Sequence, residues 1–454
     1  MIMPFRSNNP YTGQFLADYP TDSPADVERK LARAEAGFAE WSVLTVAQRT
    51  PFFRRVADYL TANRHELAAG ITAEMGKTLR EAVAEIEKCA GCCTFYADHA
   101  ETFLADQLIE SDAAKSYTTY QPLGPVLAVM PWNFPFWQVF RFAVPGLLAG
   151  NVGLLKHAPN VGGCAQAIET VFTNCGFPAG AFQSLFIEPE TVETILRDWR
   201  VRAVTLTGSG RAGSSVAAIA GHEIKKAVLE LGGSDALIVL ADADLERAAE
   251  VAVKSRMQNA GQSCIAAKRF IVEKSVKAQF TELVMHHVSQ ITQGDPTADE
   301  TTMGPMARPD LADAIDNQCR TSVSQGAKLL TEPKRNECNV APMVLTDVRP
   351  GMVVFDEETF GPLAAIIEAA NERDAVRLAN QSQFGLGSAI WTQDIDRAER
   401  LARQIEAGSV FINGLMRSDS RVPFGGVKHS GFGRELADAG IREFTNLKTV
   451  WIDS

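Results

Sequence analysis

The pattern of apolar and polar positions changes twice along the chain. From Ser23, a cap residue followed by Pro24, to about residue 105, apolar side chains recur at helical spacing, which predicts amphipathic helices. The segment 108–124 then alternates and is rich in Thr and Tyr, which predicts β-strand. Beyond Gly124, short apolar runs alternate with helical patterns, and this alternation is typical of parallel βαβ units.

The apolar runs beyond Gly124 form two blocks and a final strand. The fold class they predict is α/β, because strands and helices alternate in both blocks. The predicted strands are 126–130, 152–156, 184–187 and 201–207 in the first block, 236–240, 269–272 and 409–412 in the second, and 449–452 at the end.

Length and charge narrow the class of protein. At 454 residues the chain is too long for one hydrophobic core, so we expect two or three domains. A formal net charge of -11, without a Lys/Arg stripe, argues against a nucleic-acid partner. We also expect no membrane partner and a cytoplasmic location, because residues 1–6 carry no leader pattern and the most apolar stretch, 125–155, is interrupted by Pro131, Pro135, Pro145 and Arg141.

The eight cysteines are scattered without the spacing of a disulfide framework, which indicates a reducing compartment. Cys89, Cys92 and Cys93 share one helical pattern and have no second cluster of Cys or His nearby in sequence. We therefore interpret them as packing residues on one helix face and predict no metal site.

One cysteine has different neighbours. Cys264 follows a small polar segment, 259–263, and precedes the apolar run 270–272, a predicted buried strand. Gly261 allows a tight turn, so backbone N–H groups near Cys264 can point at whatever the sulfur attacks. A thiolate beside such donors suits covalent catalysis at a carbonyl carbon, although a lone cysteine is more often a buried structural residue.

Other loops place polar groups after predicted strands. The segment 207–213 follows a strand, opens a helix and fits the G-x-G-x-x-G dinucleotide pattern, which on spacing alone would make Glu230 the ribose partner. Asn133 lies between two prolines and two aromatics, so its amide is held rigidly, either to stabilise an oxyanion or to satisfy a turn. The loops 356–362 and 423–431 are rich in Gly and aromatics.

In this order and spacing, the motifs resemble those of the aldehyde dehydrogenase superfamily over nearly the whole chain. They are Pro-Trp-Asn-Phe-Pro, Thr-Gly-Ser, Glu-Leu-Gly-Gly, Gly-Gln-Ser-Cys, Glu-Glu-x-Phe-Gly-Pro and Pro-Phe-Gly-Gly-x-Lys-x-Ser-Gly. The resemblance implies a homodimer or homotetramer with three parts in each chain. They are a Rossmann-like cofactor domain (1–108 and 125–232), an α/β catalytic domain (233–425) and a small β oligomerisation flap (109–124 and 426–454).

The resemblance also implies catalytic roles. Cys264 matches the nucleophile, which attacks the carbon of a small-molecule aldehyde, and Asn133 with the Cys264 backbone N–H matches the oxyanion donors. Glu230 matches the general base that activates water to hydrolyse the resulting thioester and also deprotonates the thiol. This role replaces the ribose contact that spacing alone suggested for Glu230.

The cofactor is expected to be NADP or NAD. Lys156 and Ser209 match contacts to the adenosine ribose and pyrophosphate, and Pro159 stands where NAD-preferring members commonly carry Glu. Without that carboxylate nothing opposes a 2′-phosphate beside Lys156, so we expect NADP to be accepted. The full set of implied cofactor contacts is Trp132, Lys156, Gly208, Ser209, Gly213, Leu231, Glu358 and Phe360.

Within the family, the segments 155–160, 413–414 and 421–425 look like those of bacterial succinate-semialdehyde dehydrogenases. Arg141 falls where that class carries an arginine for the substrate carboxylate, and Ser418 is a second candidate contact; for Arg141, a structural ion pair is an equal alternative. Two features of some members are missing, because Gln258 replaces an arginine and Ala266 replaces a second thiol.

Three rival functions stay open. The enzyme could be a broad-specificity aliphatic or aromatic aldehyde dehydrogenase in which Arg141 is structural. It could pass the thioester to coenzyme A, although a retained Glu230 argues against that. It could also be an inactive scaffold, which the joint presence of Cys264, Glu230, Asn133 and Glu358 disfavours.

Overall fold

The computed structural model describes residues 5–453. Residues 1–4, where we expect no leader pattern, lie outside the described part, and so does residue 454 of the predicted flap. The described chain begins with a hairpin and four helices. They are β1 (Phe5–Asn8), β2 (Phe15–Tyr19), α1 (Pro24–Trp41), α2 (Val46–Ala62), α3 (Arg64–Met75) and α4 (Leu79–Phe103).

Strands and helices then alternate, as the apolar pattern predicts. The next elements are β3 (Gln107–Ile109), β4 (Lys115–Pro122), β5 (Pro125–Val129), α5 (Trp137–Leu148), β6 (Val152–Lys156), α6 (Gly162–Asn174), β7 (Phe182–Ser184), α7 (Pro189–Arg197), β8 (Ala203–Thr207), α8 (Gly210–His222) and β9 (Lys226–Glu230).

The second half continues the alternation and ends in a long strand. Its elements are β10 (Asp235–Val239), α9 (Leu245–Met257), β11 (Ala267–Glu273), α10 (Lys277–Ser289), α11 (Pro309–Ser324), β12 (Lys328–Leu329), β13 (Arg335–Asn336), β14 (Asn339–Val340), β15 (Met343–Val348), α12 (Val353–Asp356), β16 (Leu363–Ala369), α13 (Glu372–Asn380), β17 (Phe384–Gly385), β18 (Gly387–Trp391), α14 (Ile395–Ala402), β19 (Ser409–Ile412), β20 (Val427–Lys428), β21 (Gly431–Phe432), α15 (Ala437–Glu443) and β22 (Thr445–Ile452).

The start of α1 shows why its sequence folds as it does. The Ser23 hydroxyl accepts from the backbone N–H of Asp26, and the Asp26 carboxylate accepts from the N–H of Ser23, which is a capping box with Pro24 in the first turn. The predicted helix start at Ser23 is thus confirmed. Helix α4 begins with the same kind of box at Thr78, and its Cys89, Cys92 and Cys93 are buried.

A six-stranded sheet has the order β21-β9-β8-β5-β6-β7, and its strands from β9 to β7 are parallel. The chain runs outward from β5 through β6 to β7, then returns to place β8 and β9 on the other side of β5. The strand order therefore reverses between β5 and β8, and the carboxyl ends of strands at such a point are where α/β sheets bind ligands.

A second sheet has seven strands in the order β12-β15-β16-β11-β10-β18-β19, parallel except for β12. Its central strands are buried on both faces, as all-parallel sheets covered by helices require. Together the two sheets confirm the predicted α/β class.

Three predicted strands differ from those observed. The last one, expected at 449–452, is β22 and begins at Thr445, because residues 445–448 also pair with β4. The single strand expected at 108–124 is a hairpin of β3 and β4, because the chain turns between them and Ser111 of the turn shares a hydrogen bond of 2.7 Å with Ser116 of β4. The strand expected at 184–187 is β7, which ends at Ser184, because the N–H of Phe186 leaves the ladder and donates to Asp22.

The last strand, β22, pairs antiparallel with β4 along all of its length, and β3 completes this small sheet. None of the helices within residues 5–453 is long and apolar enough to cross a membrane. In the same range, no cluster of three or more His, Cys, Asp or Glu side chains is placed to hold a metal ion.

Candidate active site

The turn before Cys264 has an unusual backbone. Asn259, Ala260 and Gly261 have φ angles of 54°, 51° and 73°, so three consecutive residues adopt the left-handed region. A side chain at Gly261 would collide with the carbonyl of Gly361, and the predicted tight turn is confirmed. Holding a non-glycine residue such as Ala260 in this region costs roughly 1 kcal/mol, so the surrounding contacts have to fix the turn.

Hydrogen bonds between two loops fix it. The side-chain amide of Asn259 donates to the backbone carbonyl of Asn133 at 2.9 Å, and the amide of Asn133 donates to the carbonyl of Gln262 at 3.0 Å. The β5 loop and the loop before Cys264 are therefore locked together. An asparagine amide has two N–H groups, so Asn133 keeps a second donor after bonding Gln262.

Two cavities meet at the nucleophile position, because Cys264 and Gln138 line both. The smaller one, of about 160 Å³, also contains both predicted substrate contacts, Arg141 and Ser418. We call it the substrate cavity. The larger one, of about 400 Å³, contains Asn133 together with predicted cofactor contacts, and we call it the cofactor cavity. The cofactor contacts in it are Trp132, Gly208, Ser209, Leu231, Glu358 and Phe360.

Three predicted residues lie outside both cavities. Lys156 ends β6 beside the end of β5, and the first turn of α8 contains Gly213, where a Cβ would come within 2.5 Å of the Leu231 side chain. Glu230 ends β9, opposite Thr207 at the end of β8. All three therefore lie at or near the carboxyl edge of the six-stranded sheet.

Burial sets the protonation of Glu230 and Cys264, the two residues predicted to react. Neither carboxylate oxygen of Glu230 has a hydrogen-bond partner in residues 5–453, and burial raises the pKa of Glu230 to about 8. Arg141 acts against this rise, and the neighbouring carboxylate of Glu435 adds to it. Burial likewise raises the pKa of the Cys264 thiol to about 12, so a nucleophilic role for this thiol would require a base to remove its proton.

A buried lysine anchors the cofactor side of the site. The Lys268 ammonium donates to the carbonyl of Cys264 at 2.7 Å and to the carboxylate of Glu358 at 3.0 Å. Glu358 also accepts from the N–H of Gly233 at 3.0 Å. Lys268 thereby connects the Cys264 backbone to a predicted cofactor contact.

Aromatic side chains form one wall of the cofactor cavity. The rings of Trp132 and Phe360 meet edge to face at 5.9 Å, and the Arg308 guanidinium lies 5.8 Å from the Trp132 ring centroid. Such a wall presents flat apolar surface beside a charge, which suits an aromatic ring with polar substituents.

In the substrate cavity Arg141 is already engaged. Its guanidinium forms a buried ion pair with Glu435, donates to the Thr207 hydroxyl at 3.3 Å and lies 4.7 Å from the Phe424 ring centroid. The structural ion pair that was one alternative for Arg141 is therefore present, and the side chain lines the cavity as well. A guanidinium has five N–H groups, so Arg141 keeps donors beyond those that face Glu435 and Thr207.

The Ser418 hydroxyl accepts two hydrogen bonds, both of 2.9 Å. The donors are the Lys88 ammonium and the Trp137 indole N–H. Lys88 lies 4.0 Å from the Trp137 ring centroid and lines the substrate cavity. Besides Arg141 and Arg417, the cavity thus holds a lysine that the motifs did not indicate.

The polar residues of the site that the sequence did not single out include Lys88, Lys268 and Glu435. Glu85, Lys88 and Cys92 share one helix face, so a charge at a buried position of the pattern was a usable signal for Lys88. No comparable signal marks Lys268 or Glu435, because their charged partners, Glu358 and Arg141, are distant in sequence.

Comparison with known proteins identifies the family of this chain. The family model described as "Aldehyde dehydrogenase family" matches residues 3–450. The chain belongs to the aldehyde dehydrogenase family, whose members act on small aldehydes.

Three similar proteins are named for one activity within this family. A probable succinate-semialdehyde dehydrogenase [NADP(+)] of Synechocystis sp. is 50% identical over 450 residues, which are 98% of each chain. The succinate-semialdehyde dehydrogenase [NADP(+)] 1 of Mycobacterium tuberculosis is 48% identical over 458 residues, covering 99% of this chain and 100% of that protein. A crystal structure of succinic semialdehyde dehydrogenase from Streptococcus pyogenes in complex with NADP+ has a TM-score of 0.97, 35% identity and coverage of 99% and 100%.

Proposed function

We propose that this protein oxidises succinate semialdehyde to succinate with NADP as hydride acceptor. The observation that carries the proposal is the substrate cavity, where about 160 Å³ holds Cys264 together with cationic and hydroxyl side chains. A short aldehyde with a carboxylate at its far end would meet the sulfur with one end and the cations with the other. The names of the relatives support the same substrate.

The proposed mechanism assigns one task to each residue. Cys264 attacks the aldehyde carbon after its proton has passed to Glu230, and the oxyanion receives the second N–H of Asn133 and the backbone N–H of Cys264. The nicotinamide cofactor, when bound, supplies the acceptor for the aldehyde hydride. Glu230 gives up the thiol proton to solvent and then takes a proton from the water that attacks the thioester on Cys264. The acid is released as the C–S bond breaks, and the departing thiolate regains a proton from Glu230, which restores the thiol.

The residues of the cofactor cavity fit a dinucleotide. Helix α8 points its N-terminus at the cavity, with Ser209 as its cap and Gly208 before it. Unpaired N–H groups and the positive end of the helix dipole favour a pyrophosphate there. We propose that Lys156, Gly213, Leu231, Glu358, Phe360 and Trp132 complete the cofactor contacts.

The preference for NADP is expected to depend on Pro159. This residue is exposed and opens a short 3₁₀ turn after Lys156, whose pKa is lowered by burial and raised again by Glu188 and Glu190. Pro159→Glu would add a carboxylate beside the 2′-phosphate, so kcat/KM for NADP should fall about tenfold, the effect of about 1.4 kcal/mol, while that for NAD holds or rises. Steady-state kinetics with both cofactors measure this.

Pro159→Gln is the matched control, since it has the size of glutamate without the charge. An equal loss with both cofactors in the Glu variant would show a distorted turn and would contradict the charge argument.

The substrate is tested by comparing kcat/KM for succinate semialdehyde and butanal, with NADP in excess. A charge-assisted contact to the carboxylate contributes about 1.5–3 kcal/mol, so succinate semialdehyde should be favoured by at least about tenfold.

We propose Arg141 and Ser418 as carboxylate contacts. Arg141→Ala should then raise KM for succinate semialdehyde far more than for butanal. Equal turnover of both aldehydes would instead favour a broad-specificity aldehyde dehydrogenase.

We further propose that the protein works as a homodimer or homotetramer. The small sheet of β3, β4 and β22 leaves large apolar side chains exposed, among them Leu108, Leu447 and Trp451. Such a surface on an edge strand suits pairing with a second copy. Light scattering that gives the mass of one chain would contradict this.

A cytoplasmic location is also proposed. None of the eight cysteines is in a disulfide, and seven of them are buried. Thiols kept in this state suit a reducing compartment. Recovery of the native protein in an oxidising compartment, with these thiols paired, would contradict the proposal.

A further inference from the structure

One cation in the substrate cavity has no acidic partner. The Lys88 ammonium donates to Ser418 at 2.9 Å and lies over the face of Trp137, and no carboxylate in residues 5–453 is within ion-pair distance of it. The nearby Glu85 is taken by Lys77 in a buried ion pair of 2.5 Å and accepts from the N–H groups of Phe136 and Trp137. Lys88 is half-buried, so its charge is only partly compensated by water.

Arg141, in contrast to Lys88, has an acidic partner. Its charge is balanced by Glu435 within the same cavity wall, and the pair is almost fully buried. A substrate carboxylate that approached Arg141 would therefore also approach the negative charge of Glu435. At Lys88 an incoming carboxylate meets a positive charge that no acid neutralises.

Ser418 adds a directional argument. A hydroxyl oxygen has two acceptor sites and one hydrogen, and both sites of Ser418 are filled by donors, the Lys88 ammonium and the Trp137 indole. The hydroxyl hydrogen is thus left to donate. An ammonium with remaining N–H groups beside a donating hydroxyl forms a site for an acceptor with negative charge.

We propose that Lys88 binds the carboxylate of the substrate, with Ser418 donating to the same group, and that Lys88 is a specificity-determining residue of this active site. The inference rests on the proposed function and adds to Arg141 a cation that has no acidic partner and that helps to select an ω-carboxy aldehyde over an uncharged one. Trp137 and Ser418 hold the ammonium on the cavity wall, facing the space that Cys264 also lines.

The charged and titratable groups around Lys88 determine the pH at which this cation is lost. Glu85, Cys89 and Cys92 face it from its own helix, Arg141 from α5, and Arg417 from the loop before Ser418. Burial, followed by the charge of Arg141, lowers the pKa of Lys88 to about 8. Burial raises the pKa values of Cys89 and Cys92, the latter to about 12, so neither thiol titrates in the same range.

The test compares Lys88→Met and Lys88→Arg with the wild-type protein, using NADP and either succinate semialdehyde or butanal. Lys88→Met keeps the length of the side chain and removes the charge, so KM for succinate semialdehyde should rise about 10- to 100-fold, the loss expected for a charged hydrogen bond. KM for butanal should change far less, and Lys88→Arg should recover most of the lost affinity. Lys274→Met is the charge-matched control, because Lys274 is exposed on the surface.

A pH profile supplies a readout that a merely structural lysine would not move. The ratio of kcat/KM for succinate semialdehyde to that for butanal should fall in the wild type as pH rises above about 8, because the ammonium loses its proton there. Titration of Glu230 affects both aldehydes alike and cancels in the ratio. In Lys88→Arg the ratio should stay flat, since a guanidinium remains charged.

The outcomes separate this inference from the proposed function. Wild-type protein that does not favour succinate semialdehyde would overturn the proposed substrate. Wild-type selectivity that is unchanged in Lys88→Met, or independent of pH across this range, would overturn the role of Lys88 alone. If Lys88→Met does not fold, the wild-type pH profile and the Lys88→Arg variant still decide whether Lys88 binds the substrate carboxylate.

Discussion

Replacing Cys264 with serine should lower kcat for every aldehyde by about 10⁴-fold, the scale of loss seen when a covalent nucleophile is removed. Cys264 lines both the substrate cavity and the cofactor cavity, and Asn133 lines the cofactor cavity as well. A serine hydroxyl is similar in size to the thiol, but it is a far weaker nucleophile when the same base acts on it. The expected variant is folded, binds NADP and does not turn over.

The measurement is NADP reduction at saturating aldehyde, with cofactor binding and thermal unfolding recorded on the same preparation. Cys338→Ser is the matched control, because Cys338 is buried outside both cavities and should retain kcat within about twofold. Turnover by Cys264→Ser near the wild-type rate would show that another group is the nucleophile.

How much of this site the sequence could predict depends on how local each feature is. The turn at Gly261, the cap at Ser209 and the strand ends that hold Asn133 and Glu230 are each encoded within a few residues. Short patterns of this kind predict the loop, and the resemblance to a family supplies the role. The cofactor and substrate cavities bring together residues that the motifs had already singled out, although their roles remain predictions.

Features that depend on distant contacts could not be predicted in this way. Lys88 and Ser418 form a hydrogen bond with each other although they are 330 residues apart in sequence. For Arg141 the sequence left an ion pair and a substrate contact equally open, and only the fold brings Glu435 against it. The division into three domains, with its boundaries near 109–124, 233 and 426, also remains a prediction.

Burial explains why the electrostatics of the site were hidden. Glu230, Arg141 and Glu435 are each almost fully buried, so their mutual charges act through little water. A pattern of residue types gives the charges but not their separations. The pKa values that follow from the separations therefore required the structure.

The second large effect concerns Glu230. Burial raises the pKa of Glu230 to about 8, so at pH 7 only about a tenth of the molecules carry the carboxylate that can accept a proton. If this residue is the general base, kcat should rise about fivefold between pH 7 and pH 8 and reach about ten times its pH 7 value on the plateau above the pKa. Glu230→Gln should lower the plateau by about 10²- to 10⁴-fold and leave a flat profile.

Glu435→Gln tests the cause of that pKa. The carboxylate of Glu435 raises the pKa of Glu230, and Arg141, which Glu435 now neutralises, lowers it. Removing the charge of Glu435 should therefore shift the midpoint of the kcat profile to lower pH, so that activity at pH 7 comes closer to its plateau. Because Glu230 and Glu435 interact, the midpoints belong to the pair and are compared only as shifts. A wild-type profile that is flat from pH 6 to 9, or a midpoint that moves upward in Glu435→Gln, would contradict Glu230 as the titrating base.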